Sequence, residues 1–201
     1  MKILNLIWII TLIIDNMLPL ALARFYPNYS HKDMALSVLG SRQSPVKWVY
    51  NAWCIVSGVV FCIAPYAFYQ VNSGGLAVAI WILLAMYGIG CEIVSGFCPL
   101  NENRQEEDAI TKIHGVASAI GFMTLLVVPL LMAILQFQVS EVAFGLISIL
   151  CFVVAFVFFC FFIMGEKEMF ATTVLRYGGL WQRLVLVCCY VPLFVWCVIQ
   201  I

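Results

Sequence analysis

Polar residues in this chain gather in clusters, and between the clusters run six apolar stretches. They lie near 3–24, 47–71, 75–97, 112–136, 141–164 and 180–200. Each is close to the length of about 20 residues that a helix needs to cross a hydrocarbon layer about 30 Å thick. Lipid offers no partner to a backbone N–H or C=O, so each spanning segment must pair its own. The expected fold is all-α, a polytopic bundle of six transmembrane helices. The stretches leave no room for a soluble domain, so residues 1–201 read as a single integral membrane domain. Pro19, Pro65, Pro129 and Pro192 fall inside spans and are expected to kink them. The opening, Met1-Lys2 followed by an apolar run and Ala21-Leu22-Ala23, resembles a cleavable signal peptide. Because the run is long enough to span, it reads as a retained first helix.

Composition sharpens this reading. The chain is 65% hydrophobic and 10% charged, against about 45–50% apolar and about 25% charged in soluble domains. So little polar surface leaves lipid as the main solvent. The net charge of zero argues against nucleic acid as a partner. Nine cysteines lie in or beside apolar runs, without a C-x-x-C pair. They read as small packing residues, with no metal site and no cofactor expected. The ring of phenylalanines around the fifth span, from Phe152 to Phe162, marks a lipid-facing helix. Gly88 with Glu92, Gly115 with Ala119, and Ala117 with Gly121 have the four-residue spacing of close helix approach.

Basic residues give an orientation. With six spans, Lys2 alone lies on the side of the termini. Arg24, Lys32, Arg42, Lys47, Arg104, Lys112, Lys167, Arg176 and Arg183 lie on the other. Basic flanks stay in the cytoplasm, so the charged side is expected there, in the cell membrane, with both termini outside. The three charged loops on that side also divide the chain into three helical hairpins.

Ionisable groups inside spans cost roughly 2.5–3.5 kcal/mol each on insertion scales and usually face the bundle interior. Asp15 and Asn16 interrupt the first span, about 13 Å deep by helical rise. Asn51 lies one turn into the second, and Glu92 one turn before the end of the third. His114 opens the fourth, with Ser118 one turn further on the same face. Gln182 and Arg183 open the sixth. Most lie within two turns of the charged side, which suggests a pocket there. The plainer alternative is a packing staple, with Arg183 paired to Glu92 or Asp15. Between Glu92 and His114, the acids Glu102, Glu106, Glu107 and Asp108 read as a solvated loop.

Four stretches together resemble one family: YPNYSHKDMALSVLGS (26–41), KWVYNAWCIVSG (47–58), GFCP through KIHGVASAIGF (96–122) and GGLWQRL (178–184). In order and spacing they are similar to the six-helix prokaryotic membrane proteins labelled domain-of-unknown-function 998. The matching positions are Tyr29, Ser37, Leu39, Gly40, Asn51, His114, Gln182 and Arg183. Phe97-Cys98-Pro99 departs from the family pattern, where Phe and Pro are adjacent. The resemblance implies the fold and the membrane location, and no activity.

The leading expectation is a protein that binds a lipid head group or amphipathic small molecule near one membrane face. Arg183 would meet an anionic group through its forked donors, with Gln182, His114, Asn51, Glu92 and Asp15 around it. Membrane lipids and a lipid-like small molecule are the expected partners, and a homo-oligomer is admitted. One alternative is an intramembrane lipid hydrolase, with His114 as base and Glu92 or Asp15 tuning it; no G-x-S-x-G or H-E-x-x-H motif supports it. The other is a small transporter with Asp15 as a proton relay.

Overall fold

The computed structural model describes residues 1–102 and 108–201. Arg104, Glu106 and Glu107 therefore lie outside the described residues. Among those described there are helices and turns and no strand. Six helices are long and apolar enough to cross a membrane: helix 1 (Lys2–Phe25), helix 2 (Lys47–Asn72), helix 3 (Gly75–Phe97), helix 4 (Ala109–Gln138), helix 5 (Val142–Gly165) and helix 6 (Gly178–Ile199). Large apolar side chains such as Ile3, Ile10, Val56, Ile82, Leu150 and Val198 point outward from all regions of the bundle. The chain is a multi-pass membrane protein.

Each helix packs on its sequence neighbour, and helix 1 closes the bundle against helix 6. Lys2 Nζ reaches the carbonyl of Ile201, so the two ends of the chain meet on one side. The tight turn there between helices 2 and 3 passes through Gly74 at φ +96°, a conformation that glycine alone adopts without strain. Helix 5 is the outermost: 11% of its most apolar stretch is buried, against 50% in helix 4. Of the phenylalanines expected to face lipid, Phe156 is exposed, whereas Phe159 and Phe162 turn inward onto Phe122 and Phe158 and Phe161 pack on Trp181.

The half of the bundle nearer the termini is filled with rings. Trp8, Phe61, Phe68 and Trp196, from helices 1, 2 and 6, are all buried. Their centroids lie 4.9–6.4 Å apart, at edge-to-face or tilted angles, the arrangement that aromatic quadrupoles favour.

Of the prolines expected to kink spans, Pro65 ends an α-helical segment. Helix 2 stops at Ile63 and resumes at Tyr66. Pro19, Pro129 and Pro192 sit within unbroken helices.

Helix 3 is clasped on both sides by glycines. A Cβ on Gly88 would lie 2.6 Å from the carbonyl oxygen of Gly58, and one on Gly121 2.8 Å from the amide nitrogen of Cys91. Gly90 abuts the backbone of Ala117. The small-residue spacing at Gly88 and at Ala117 with Gly121 thus marks real close approaches. At Gly115 the expectation fails: a Cβ there would touch nothing, because this position faces an opening.

Between Tyr87 and Ser95 helix 3 leaves α geometry. Gly88–Val94 is a π-helical turn, a feature that recurs at functional sites. In an α-helix, residues five apart point about 140° away from one another. The wider turn instead brings Glu92 over Tyr87, with the Tyr87 hydroxyl 2.8 Å from Glu92 Oε1.

Gly88→Ala pushes helix 3 away from helix 2 and should destabilise by roughly 1–3 kcal/mol. Gly115→Ala should be neutral or mildly stabilising. Thermal unfolding in detergent micelles measures both, and equal melting temperatures for the two variants would contradict the clasp.

Candidate functional site

The charged end of the bundle is roofed by the segment between helices 1 and 2. Its 3₁₀ turn, Leu36–Gly40, buries Leu36 and Leu39. Side chains from helices 2 and 6 hold the roof by its backbone. Gln182 Oε1 accepts from Leu36 N–H at 2.8 Å. Asn51 Nδ2 donates to the carbonyl of Gly40 at 3.0 Å, and a Cβ at Gly40 would collide with Asn51. Arg183 Nη1 donates to the carbonyls of His31 (2.9 Å), Met34 (3.2 Å) and its own helix's Gly179 (2.7 Å), and Nη2 to the Tyr29 hydroxyl at 2.6 Å. His114 Nδ1 meets the carbonyl of Cys98 at 2.8 Å. A carbonyl only accepts, so Nδ1 carries the hydrogen and Nε2 is left as an acceptor. Nearly all the positions that carried the family resemblance are thus parts of this roof and its ties.

The neighbouring loop is tied in as well. Glu102 accepts from Tyr26 at 2.6 Å and from Ser41. Asp108 caps helix 4 through Thr111 N–H at 2.9 Å and pairs with Arg42 at 2.6 Å. Of the acids read as a solvated loop, these two also serve as structural ties, Asp108 with its side chain still 41% exposed. The Thr111 amide first, then Arg42, hold the Asp108 carboxyl at about 2. A carboxyl lowered in this way favours the fold above its ordinary value, and the benefit fades only as pH falls toward 2. Desolvation and Glu102 push the Tyr26 phenol up to about 12. Burial lowers His31, reinforced by the charge of Arg183.

Beneath the roof lies a cavity of about 380 Å³, within the range of small-molecule sites. Asn51, Glu92, His114 and Gln182 line its polar part, from helices 2, 3, 4 and 6. Its walls are apolar and include Phe122, Met123, Phe159 and Phe162. Ser95 and Ser118 join across it, hydroxyl to hydroxyl, at 2.9 Å. Among the described residues no lysine or arginine lines it.

The remaining sequence candidates stand apart. Arg183 does not line this cavity and pairs with neither Glu92 nor Asp15; it belongs to the roof and to an outer groove between helices 1 and 6. Its Nη donors are taken up by carbonyls and a phenol while Nε is buried without a partner; lying outside the lining, it is not placed to meet an anion in the cavity. Asp15 lies deeper, beside the cavity rather than in its lining. Its Oδ1 accepts from Trp53 Nε1 at 2.7 Å, and its Oδ2 from the hydroxyls of Ser57 at 3.0 Å and Tyr190 at 3.1 Å. Tyr190 touches Tyr87 at 2.6 Å, hydroxyl to hydroxyl, and the Tyr87 hydroxyl lies within hydrogen-bond distance of Glu92 Oε1. The two carboxyl groups are therefore joined through two phenols.

Sequence reasoning missed both tyrosines, because inside a long apolar run they count among the hydrophobic residues. A signal did exist. Tyrosine in spans favours the membrane interface, while Tyr87 and Tyr190 lie near the middle of theirs and are buried. Among the described residues, no three His, Cys, Asp or Glu side chains gather in metal-binding geometry, and all nine cysteines are free thiols.

A family model described as "Protein of unknown function (DUF998)" matches residues 9–199. No curated protein and no solved structure matches the chain.

Removing the guanidinium frees the roof. In Arg183→Ala, trypsin should cut at Lys32 several-fold faster than in the wild type, in detergent micelles, while Arg183→Lys recovers part of the protection. An unchanged digestion rate would show that the roof is held by other contacts.

Proposed function

We propose that this chain, which belongs to the DUF998 family, binds an amphipathic small molecule through a donor-bearing polar end, such as an amine or a hydroxyl. The observation that carries this reading is the convergence of Asn51, Glu92, His114 and Gln182 from four helices on one cavity with apolar walls. Such a mixture, a few polar groups at one part of a largely apolar lining, is the usual make-up of a small-molecule site.

The chemistry of the polar part selects the ligand. Glu92 is a carboxyl group, and the free Nε2 of His114 is an acceptor. No cationic side chain among the described residues stands ready for a phosphate or carboxylate. An anionic head group finds no cation there and would add a second negative charge beside the buried carboxyl groups, whereas an ammonium or hydroxyl gains hydrogen bonds, charge-assisted in the first case. The apolar part of the ligand would lie among Phe122, Met123, Phe159 and Phe162. A single-chain lipid has this form, so membrane lipids remain a source of the ligand. The hydrolase alternative has weaker support: the His114 ring is oriented by a backbone carbonyl, not by a carboxylate.

Orientation belongs to the same proposal. The positive-inside rule puts the roofed side in the cytoplasm of the cell membrane and both termini outside. A ligand would then reach the cavity from the cytoplasm or the adjoining leaflet.

Decylamine, decanol and decanoate form a matched series for equilibrium dialysis against the purified protein. Decylamine and decanol should bind and decanoate should not, and Glu92→Gln should weaken decylamine about tenfold or more with decanol little changed. Binding of all three alike, or unaltered binding after Ala119→Trp fills the cavity, would sink the reading. For orientation, a cysteine appended after Ile201 should react with a membrane-impermeant maleimide on intact cells; protection there would reverse the assignment.

A further inference from the structure

The chain of side chains from Asp15 to Glu92 has a hydrogen count that closes only with one proton beyond those of its two phenols. It contains three links: Asp15 to Tyr190 at 3.1 Å, Tyr190 to Tyr87 at 2.6 Å, and Tyr87 to Glu92 at 2.8 Å. Each link needs one hydrogen. The two phenols supply two. If both carboxyls were ionised, the phenols would donate outward to them, and the Tyr87–Tyr190 contact would hold two oxygens at 2.6 Å with no hydrogen between. That contact would be repulsive at the centre of a span.

We infer that Asp15 and Glu92 hold a single proton in common through Tyr190 and Tyr87, and that a cation entering the cavity takes its place. The donor count locates the proton. Asp15 accepts three hydrogen bonds, from Trp53, Ser57 and Tyr190, which suits an ionised carboxylate. Glu92 is the acid: its O–H points to Tyr87, Tyr87 donates to Tyr190, and Tyr190 donates to Asp15. A concerted shift of three hydrogens produces the mirror state, with the acid at Asp15.

The surroundings contain no competing counter-charge. Facing Glu92 are Tyr50 and Cys54 from helix 2, Cys91 from helix 3 and His114 from helix 4; helix 5 contributes only apolar residues there. Facing Asp15 are Trp53 and Ser57 of helix 2 and Tyr190 of helix 6. Arg183, in the outer groove near Tyr190, is bound to the roof. Among the described residues neither carboxyl is in an ion pair. The pair with its proton carries one negative charge.

Exchange keeps that charge constant, and this half of the inference rests on the ligand reading above. An ammonium ion enters with one positive charge and hydrogen-bonds to Glu92, whose acid hydrogen leaves through the cavity to water. The site goes from two carboxyls with one proton to two carboxylates with one ammonium, so the net charge is −1 before and after. The link between the phenols then lacks its hydrogen and must open. Occupancy of the cavity would thus loosen helix 3 from helix 6 at mid-membrane.

The test is the infrared carbonyl stretch of a protonated carboxylic acid, read on the full-length protein in detergent near neutral pH. The wild type should show one such band. It should vanish in Glu92→Gln, because the Gln amide donates to Tyr87 and leaves Asp15 ionised. It should vanish equally in Asp15→Asn, because the Asn amide donates to Tyr190 and the relay runs to an ionised Glu92. Asp15→Asn is the deciding variant, because an unshared Glu92 acid would lose its band in Glu92→Gln but keep it in Asp15→Asn. Absence of the band in the wild type, or its survival in Asp15→Asn, overturns the shared proton. For the exchange, decylamine is cationic at neutral pH, as amines of this kind are. It should release one proton per molecule bound, followed by a pH dye in weak buffer. Binding without release overturns the exchange alone. Failure of decylamine to bind removes the ligand reading and the exchange together, and leaves the carbonyl band to decide the shared proton.

Discussion

Hydrocarbon leaves no hydrogen-bonding group a partner outside the protein, and the polar architecture of this molecule answers that constraint. A carboxyl in mid-span costs several kcal/mol unless other groups surround it. Asp15 meets that demand with donors from two other helices, and Glu92 with a phenol on its own helix that touches another from helix 6. At the roof the same demand is met differently: irregular backbone near the membrane surface has carbonyls to satisfy, and Arg183, Asn51 and Gln182 supply the partners. Polar side chains here hold structure together first, and the cavity is the space they enclose.

The spans were legible because length and hydropathy alone set them. The six expected segments differ from the observed helices by a few residues at their ends, as fraying and capping allow. Helix 4 begins at Ala109, earlier than its apolar run, because Asp108 caps it through Thr111. The π turn at Gly88–Val94 could not be read, since no periodicity distinguishes one wide turn inside an apolar helix. Yet it decides that Glu92 faces Tyr87 and the cavity.

The site was legible in part, for the same physical reason that made the spans clear. Ionisable and amide groups stand out against an apolar background, so Asn51, Glu92, His114 and Gln182 could be named and are brought to one cavity. Arg183 was equally conspicuous, but conspicuousness does not show where a long side chain turns; it turns outward to the carbonyls of the roof. Asp15 was visible and its partners were not, because tryptophan and tyrosine carry their donors on large aromatic bodies that pass for hydrophobic residues in an apolar run. The acids Glu102 and Asp108 looked like solvent-facing loop because their partners, Tyr26, Ser41 and Arg42, come from a segment about 60 or more residues away.

Helix 6 bears on three layers of the molecule at once. Gln182 and Arg183 grip the roof, Leu186 forms part of the cavity wall, and Tyr190 reaches the buried carboxyl pair. From Arg183 to Tyr190 is about 10 Å along the axis, and these positions recur at helical spacing. The helix behaves as a camshaft. Any turn about its axis that lifts the cover must also retime the contact at the bottom, so entry to the chamber and the state of the groups beneath it are geared to one rod.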